Sequence, residues 1–287
     1  MSSVFVILKK RGKIDISDIV DMAMAEMGSE NSSFSDSLVI NNIGFGCHLS
    51  VFTPEPKDDS MPYMDTASGC CVVADARIDY RTKLIKQLGL NIDQMQKLSD
   101  SRLILLSYLK WGEACVEYLY GDFAFVIWDK SQNKLFSARD HFGCRPLYYV
   151  DREDYLAIVS DPKALKALPG FQYQINDQFI LDTICSIVPN EDVQTYQEIN
   201  RLEPAHTLSY LPEVTVKLNR YWDLRVQERF TLLSEEEAIQ GLKDLFIETI
   251  KERSCYISLV GVELSGGLDS SSIASCPVSY THLTLPT

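Results

Sequence analysis

Ser265-Gly266-Gly267-Leu268-Asp269-Ser270 is the segment of this chain best equipped for chemistry. It follows the apolar run Ile257–Leu264, which reads as a buried strand. Two adjacent glycines let the backbone turn tightly and come close to a ligand. Ser270, Ser271 and Ser272 then open a helix. Backbone N–H groups at such a turn form an anion cradle, and the serine hydroxyls add uncharged donors. No lysine follows the second glycine, so this is not a Walker A loop. The chemistry these residues suit is the holding of phosphate by backbone donors.

The elements around it divide the chain in two. Val4–Leu8 reads as a first strand, and the helical spacing of Ile16, Ile19, Val20, Ala23, Met24 and Met27 predicts an amphipathic helix over 15–27. Gly28–Asp36 reads as a polar loop. Strands are predicted at Cys47–Phe52 and Cys70–Ala74, with helices over 82–88 and 100–111. Short strands follow at Phe123–Trp128, Leu135–Ala138, Leu147–Val150 and Leu156–Val159. Asp161-Pro162 marks a helix start, Asn176 caps a helix to about Ser186, and segments near 206–210 and 214–218 look like a hairpin. Ser234 with Glu237 forms a capping box for a helix to about Arg253. The expected fold is thus α+β with packed antiparallel sheets over residues 1–220, followed by the beginning of a parallel, doubly wound α/β domain.

Composition narrows the function classes. The 287 residues suggest about two domains. A net charge of −13 with scattered basic residues argues against a nucleic-acid surface. The eight cysteines form no C-x-x-C pair and mostly sit in apolar runs, as reduced thiols of a cytoplasmic protein do. The four histidines lie too far apart for a metal signature. No apolar run suits a signal peptide or a membrane span.

Gly121-Asp122-Phe123-Ala124-Phe125, the segment Arg139–Tyr149 and then Ser265–Ser270 occur in the order found in the asparagine synthetase family. From residue 1 to about 275 the chain resembles that family. The resemblance implies a class II glutamine amidotransferase domain over 1–220, with a nucleophile-hydrolase-like sandwich. It implies the start of an ATP-pyrophosphatase synthetase domain over 221–276. The S-G-G-x-D-S loop is similar to the pyrophosphate-binding loop of enzymes that split ATP into AMP and pyrophosphate. Arg139–Tyr149 itself reads as a structural turn shaped by Gly143 and Pro146.

In the family an N-terminal cysteine attacks the glutamine amide, with the chain's α-amine as base. Here Ser2 holds that position, and the nearest cysteine is Cys47. A hydroxyl ionises far less readily than a thiol. By resemblance, His48 stands where the family has an arginine for the substrate carboxylate. Asp75, Ala76 and Arg77 stand in the segment that supplies the oxyanion donor, where a carboxylate opposes developing negative charge. Asp100 matches the acidic residue that holds the glutamine amine. The glutaminase half is therefore expected to be inactive.

The same resemblance implies an AMP-forming ligase that activates a carboxylate as an acyl-adenylate for attack by an amine. ATP and Mg²⁺ are the implied cofactors. Leu264, Ser265, Gly266, Gly267, Asp269 and Ser270 would bind ATP, with Asp269 on the metal. Ala74–Arg81 looks like the variant found in lasso-peptide macrolactam synthetases, which like β-lactam synthetases take an internal amine. The expected partners are a small-molecule or peptide carboxylate with an amine acceptor, without nucleic acid or membrane, in a homodimer. A reading from another class is a non-catalytic binding module. Pro277–Thr287 has no counterpart in the family and reads as a non-native tail on a truncated chain, with Cys276-Pro277 ending the last helix. The segment beyond about 230 is expected to fold poorly, because its one strand lacks neighbours.

Overall fold

A computed structural model describes residues 2–28, 33–50, 61–91, 98–187, 194–212, 215–254 and 261–281, the last five by backbone only. The chain divides into two units, one ending at Asp223 and the other running from Leu224.

In chain order the first unit contains β1 (Ser3–Lys9), α1 (Ile16–Met27), β2 (Phe34–Ile40), β3 (Ile43–Leu49), β4 (Tyr63–Met64) and β5 (Cys71–Asp79). It continues with α2 (Arg81–Leu88), α3 (Asp100–Trp111), β6 (Tyr120–Asp129), β7 (Lys134–Arg139), β8 (Tyr148–Asp151) and β9 (Tyr155–Val159). A 3-10 turn at Pro162–Ala167, α4 (Asp177–Ile184), β10 (Asn200–Arg201), β11 (His206–Tyr210) and β12 (Lys217–Arg220) complete it. The strands form two six-stranded sheets ordered β10-β8-β9-β1-β3-β2 and β12-β11-β7-β6-β5-β4. Every named pairing is antiparallel. This is the expected α+β sandwich.

Alternation along each strand builds the layers. Val4, Val6 and Leu8 of β1 join Ile43, Phe45 and Cys47 of β3 in a core shared with Cys71, Val73, Phe125 and Phe136 of the other sheet. Phe5 and Ile7 face the other way and pack with Ile16, Ile19, Val20 and Ala23 of α1. Burial pushes the thiols of Cys47 and Cys71 up to about 12, with the charge of Asp36 adding to the first and the neighbouring Cys47 and Cys70 to the second. Both are reduced and buried, whereas Cys144 and Cys185 are exposed.

Several sequence expectations shift. The polar loop expected up to Asp36 ends sooner: β2 begins at Phe34 and turns into β3 through Asn41-Asn42, with Asn41 at φ 53°. An Asn at positive φ suits a tight hairpin turn, and that signal outweighs the polar composition before it. β3 starts four residues earlier than predicted, and β5 runs on to Asp79, carrying Asp75, Ala76 and Arg77 within a strand. The hairpin partner of β11 lies at Lys217–Arg220 rather than 214–218.

In the second unit, α5 (Glu228–Thr231), α6 (Glu235–Arg253) and α7 (Leu268–Thr281) are helical. The capping box is present, with Ser234 and Glu237 bonding reciprocally. Half of the predicted strand Ile257–Leu264 lies outside the described residues, and residues 261–264 pair with no strand. A strand exists by its ladder, and the described residues of this unit offer no neighbour. Helix α7 does not stop at Cys276-Pro277 but continues to Thr281. Proline removes one intrahelical bond, and the bonds on either side can carry the helix past it.

Candidate functional site at the edge of the sandwich

Ser2 leads into β1 and is buried, its Oγ accepting the Ser50 N–H at 3.1 Å. Across the sandwich, β5 presents Asp75, also buried. Burial raises the Asp75 pKa, opposed by the charge of Arg145 and by hydrogen bonds from the backbone and side chain of Ser2. The Ser2 hydroxyl accepts from Ser50 and stands near enough to Asp75 to favour its charged form. Arg145 Nη1 stands 3.5 Å from Asp75 Oδ2. Its Nε is buried without a hydrogen-bond partner among the described residues.

The turn that delivers Arg145 is wound around two side chains. The Asp140 carboxylate accepts the N–H groups of Phe142 at 3.1 Å, Cys144 at 2.9 Å, Arg145 at 2.9 Å and Phe123 at 3.3 Å. Arg139, fully buried, donates to the carbonyls of Gly143 at 2.5 Å, Arg145 at 2.6 Å and Leu202 at 2.7 Å. These bonds fix the turn, as read from the sequence, and also aim Arg145 at Asp75. Sequence reasoning missed that second role, although Arg145 lay inside the segment it singled out.

The other predicted pocket residues separate. His48 does not join Ser2 and Asp75: its Nδ1 bonds Ser35 Oγ at 2.6 Å and its Nε2 the Met24 carbonyl at 2.9 Å, on the α1 side of β3. Cys47, one residue earlier, faces the sandwich core. Strand alternation therefore takes His48 out of the pocket. Arg77 pairs with Asp79 at 3.2 Å, both buried, and Ala76 lies between them and Asp75 on the same strand. Asp100, in the first turn of α3, is ion-paired with Arg81. A buried carboxylate already neutralised by a guanidinium is a poor seat for a substrate ammonium.

In the second unit the glycine loop precedes α7 directly. Gly266 has φ +80°, which favours glycine, and a Cβ there would meet nothing within 4 Å. Ser265 and Ser270 hydroxyl oxygens lie 3.0 Å apart, and the Gly267 N–H donates to Ser265 Oγ at 3.4 Å. Ser270 and Ser271 hydroxyls both donate to the Gly267 carbonyl, at 3.3 and 2.7 Å. Leu264 and Asp269 are exposed beside it. Among the described residues no three His, Cys, Asp or Glu side chains are grouped to hold a metal.

Residues 4–222 match the family model described as Glutamine amidotransferase domain. The chain belongs to this glutamine amidotransferase family. The chain shares 31% identity over 204 residues with Asparagine synthetase (glutamine-hydrolyzing) 3 of Bacillus subtilis, a match covering 70% of this chain and 33% of the relative. It is 28% identical over 247 residues to Amidase chry2 of Gibberella zeae, covering 84% of this chain and 35% of the relative. The chain spans about a third of the length of these curated relatives. Among solved structures, the glutamine phosphoribosylpyrophosphate amidotransferase of B. subtilis, complexed with ADP and GMP, superposes with a TM-score of 0.54. That match has 14% identity and covers 99% of this chain and 69% of the other, and it supports the fold alone. In this amidotransferase domain Ser2, Asp75 and Arg145 are the groups brought together. Among the described residues no helix is long and apolar enough to cross a membrane.

Proposed function

We propose that this chain is part of an ATP-dependent, AMP-forming ligase of the asparagine synthetase kind, and that its amidotransferase site does not hydrolyse glutamine. The observation that carries the ligase reading is the Ser265–Ser270 loop at the head of α7, with Gly266 at φ +80°. Its N–H groups and hydroxyls bond one another and the loop's own Gly267 carbonyl, and a phosphate can take over those bonds. The residues fit a polyphosphate: donors converge, no side chain blocks Gly266, and one carboxylate, Asp269, stands in the first helical turn for Mg²⁺. When bound, ATP supplies a leaving group that turns a carboxylate into an acylating agent. Ser265, Gly267 and Ser270 would orient its phosphates, Leu264 would border the nucleotide, and Asp269 would bring the metal to them.

Three features support silence of the glutaminase site. Ser2 replaces a thiol nucleophile, its hydroxyl lies near the buried Asp75 carboxylate, and Asp100 is neutralised by Arg81. A serine hydroxyl beside a single carboxylate lacks a base of suitable strength. The Arg81–Asp100 pair also favours an internal amine over ammonia as acceptor, as in macrolactam- or β-lactam-forming ligases, because it fills the seat of the glutamine amine. Residues Ala74–Arg81 carry that pair's arginine. A small-molecule or peptide carboxylate, a cytoplasmic setting and a homodimer complete this reading.

A binding-module reading draws on a different observation: no described residue of the second unit is buried. Two measurements separate the readings. ATP–pyrophosphate exchange by the complete gene product should depend on Asp269 and be lost in Asp269→Ala. Exchange at the wild-type rate in that variant, or none in the parent, would refute the ligase reading. Incubation with glutamine should release no glutamate; turnover that vanishes in Ser2→Ala would show a working glutaminase.

A further inference from the structure

Among the described residues the first unit has four sheet edges, and three are blunted. β4 and β10 have two residues each, and β12 carries Lys217 and Arg220 in a four-residue strand. Short edges and basic side chains are common defences against strand addition. β2 has neither. It is seven residues long, contains no proline, lysine or arginine, and keeps Phe34 39% and Val39 41% exposed. Its single charge is Asp36. Because a two-residue turn joins β2 to β3, Ile40 and Ile43 flank that turn as a pair. The backbone groups of Ser35, Ser37 and Val39 then face away from β3. The outward N–H of Ser37 is covered only by its neighbour's carboxylate, Asp36 Oδ1 at 2.8 Å.

Where this strand ends, a groove begins. Its lining includes Lys9, Lys10, Arg11, Asp15, Val39 and Asn42, so Val39 belongs to both, and the Asp15 carboxylate accepts the Ser17 N–H at the start of α1. Lys10 is paired with Asp151, whereas Arg11 is exposed and forms no ion pair among the described residues. An acidic strand therefore runs into a basic groove, on a chain whose net charge is −13. That overall charge disfavours a second copy at this edge and favours a partner carrying positive charge.

We propose that the β2 edge and the adjoining groove bind an extended peptide by strand addition. The peptide lies antiparallel to β2, with a basic residue facing Asp36 and, about three positions before it on the Val39 face, an acidic residue reaching Arg11. Backbone bonds supply affinity, while the two charges fix register and direction. Pairing frees the Ser37 N–H by drawing the Asp36 carboxylate onto the peptide's cation. No covalent step is involved, and the proposal does not depend on the ligase reading.

The probe is a fluorescent ten-residue peptide of alternating valine and threonine, with one glutamate and a lysine three residues on. Anisotropy with the whole chain should show saturable binding. Replacing the lysine by glutamate should weaken it roughly tenfold, the size of one lost charge pair in a strand. In Asp36→Lys the preference should reverse, the substituted peptide now binding better. Arg11→Glu should weaken the parent peptide, and Ser37→Pro, at an outward-facing position that β3 does not use, should abolish binding. The Asp36→Lys reversal is read within one folded variant, so it stands even if Ser37→Pro unfolds. Absence of saturable binding, equal affinity for both peptides in both chains, or a dimer that Ser37→Pro dissociates would overturn the proposal.

Discussion

At the scale of single residues, the site turns on a hydroxyl and a carboxylate. Ser2→Cys supplies the missing thiol but leaves Asp75 beside it and Arg81 on Asp100. It should therefore not create measurable glutamate release; substantial turnover in that variant would mean the rest of the pocket is intact. Asp75 gives a pH test. Its folded pKa is raised, chiefly by burial, so its charged form costs stability. That cost is absent below the ordinary aspartate range and grows as pH rises through the folded pKa. Asp75→Asn should accordingly melt higher than the parent at pH 7, with the gain shrinking as pH falls toward 4. A variant that melts lower at pH 7 would show that the pair with Arg145 outweighs burial. The sequence located Ser2, Asp75 and Asp100 through resemblance, because each stands at a motif position. It misplaced His48, since a one-residue step along a strand reverses the face and no sequence signal separates Cys47 from His48. Arg81 and Arg145 went unassigned, because ion pairs between distant segments follow from the fold rather than from spacing.

At the scale of elements, the β5–β6 pair is the frame of the site. Gly121 lies opposite Ile78, at φ +127°, and a Cβ there would stand 2.1 Å from the Arg77 carbonyl oxygen. Gly121→Ala should cost about 3 kcal/mol or more, seen as a lower midpoint in urea unfolding of the first unit. An unchanged midpoint would mean the strands can part at that point without loss. Helices and strands with strong periodicity, such as α3, β6 and β9, were legible within one to three residues. The β2–β3 hairpin was not, because its exposed first half, Phe34–Ser37, is as polar as a loop. The extension of β5 through Asp75, Ala76 and Arg77 was hidden for a related reason. Its charged residues are buried in ion pairs, which apolar patterning cannot detect.

At the scale of the whole chain, burial divides what composition does not. Every fully buried residue lies at or before Tyr210, while Leu242 of α6 is 70% exposed. α6 therefore rests on its capping box and local bonds, which are marginal supports for an isolated helix. Limited proteolysis should cut after about residue 224 first and leave a resistant core ending near Asp223. Equal resistance on both sides of that point would contradict this division. The boundary was legible near 220, since strand-rich sequence gives way there to a single amphipathic helix. The lack of a core in the second unit followed from counting its strands.

The buried thiols offer a clock. Cys144 and Cys185 meet solvent, whereas Cys47, Cys70, Cys71 and Cys115 are buried, with burial raising each thiol's pKa. Iodoacetamide attacks thiolates, so the exposed pair should gain mass within minutes and the interior four only when the sheets separate. Successive mass steps on the intact chain would then time the breathing of the sandwich under native conditions. If the four interior sulfurs are alkylated together, the two sheets part as one event. If Cys115 reacts alone, the outer layer behind β5 loosens first.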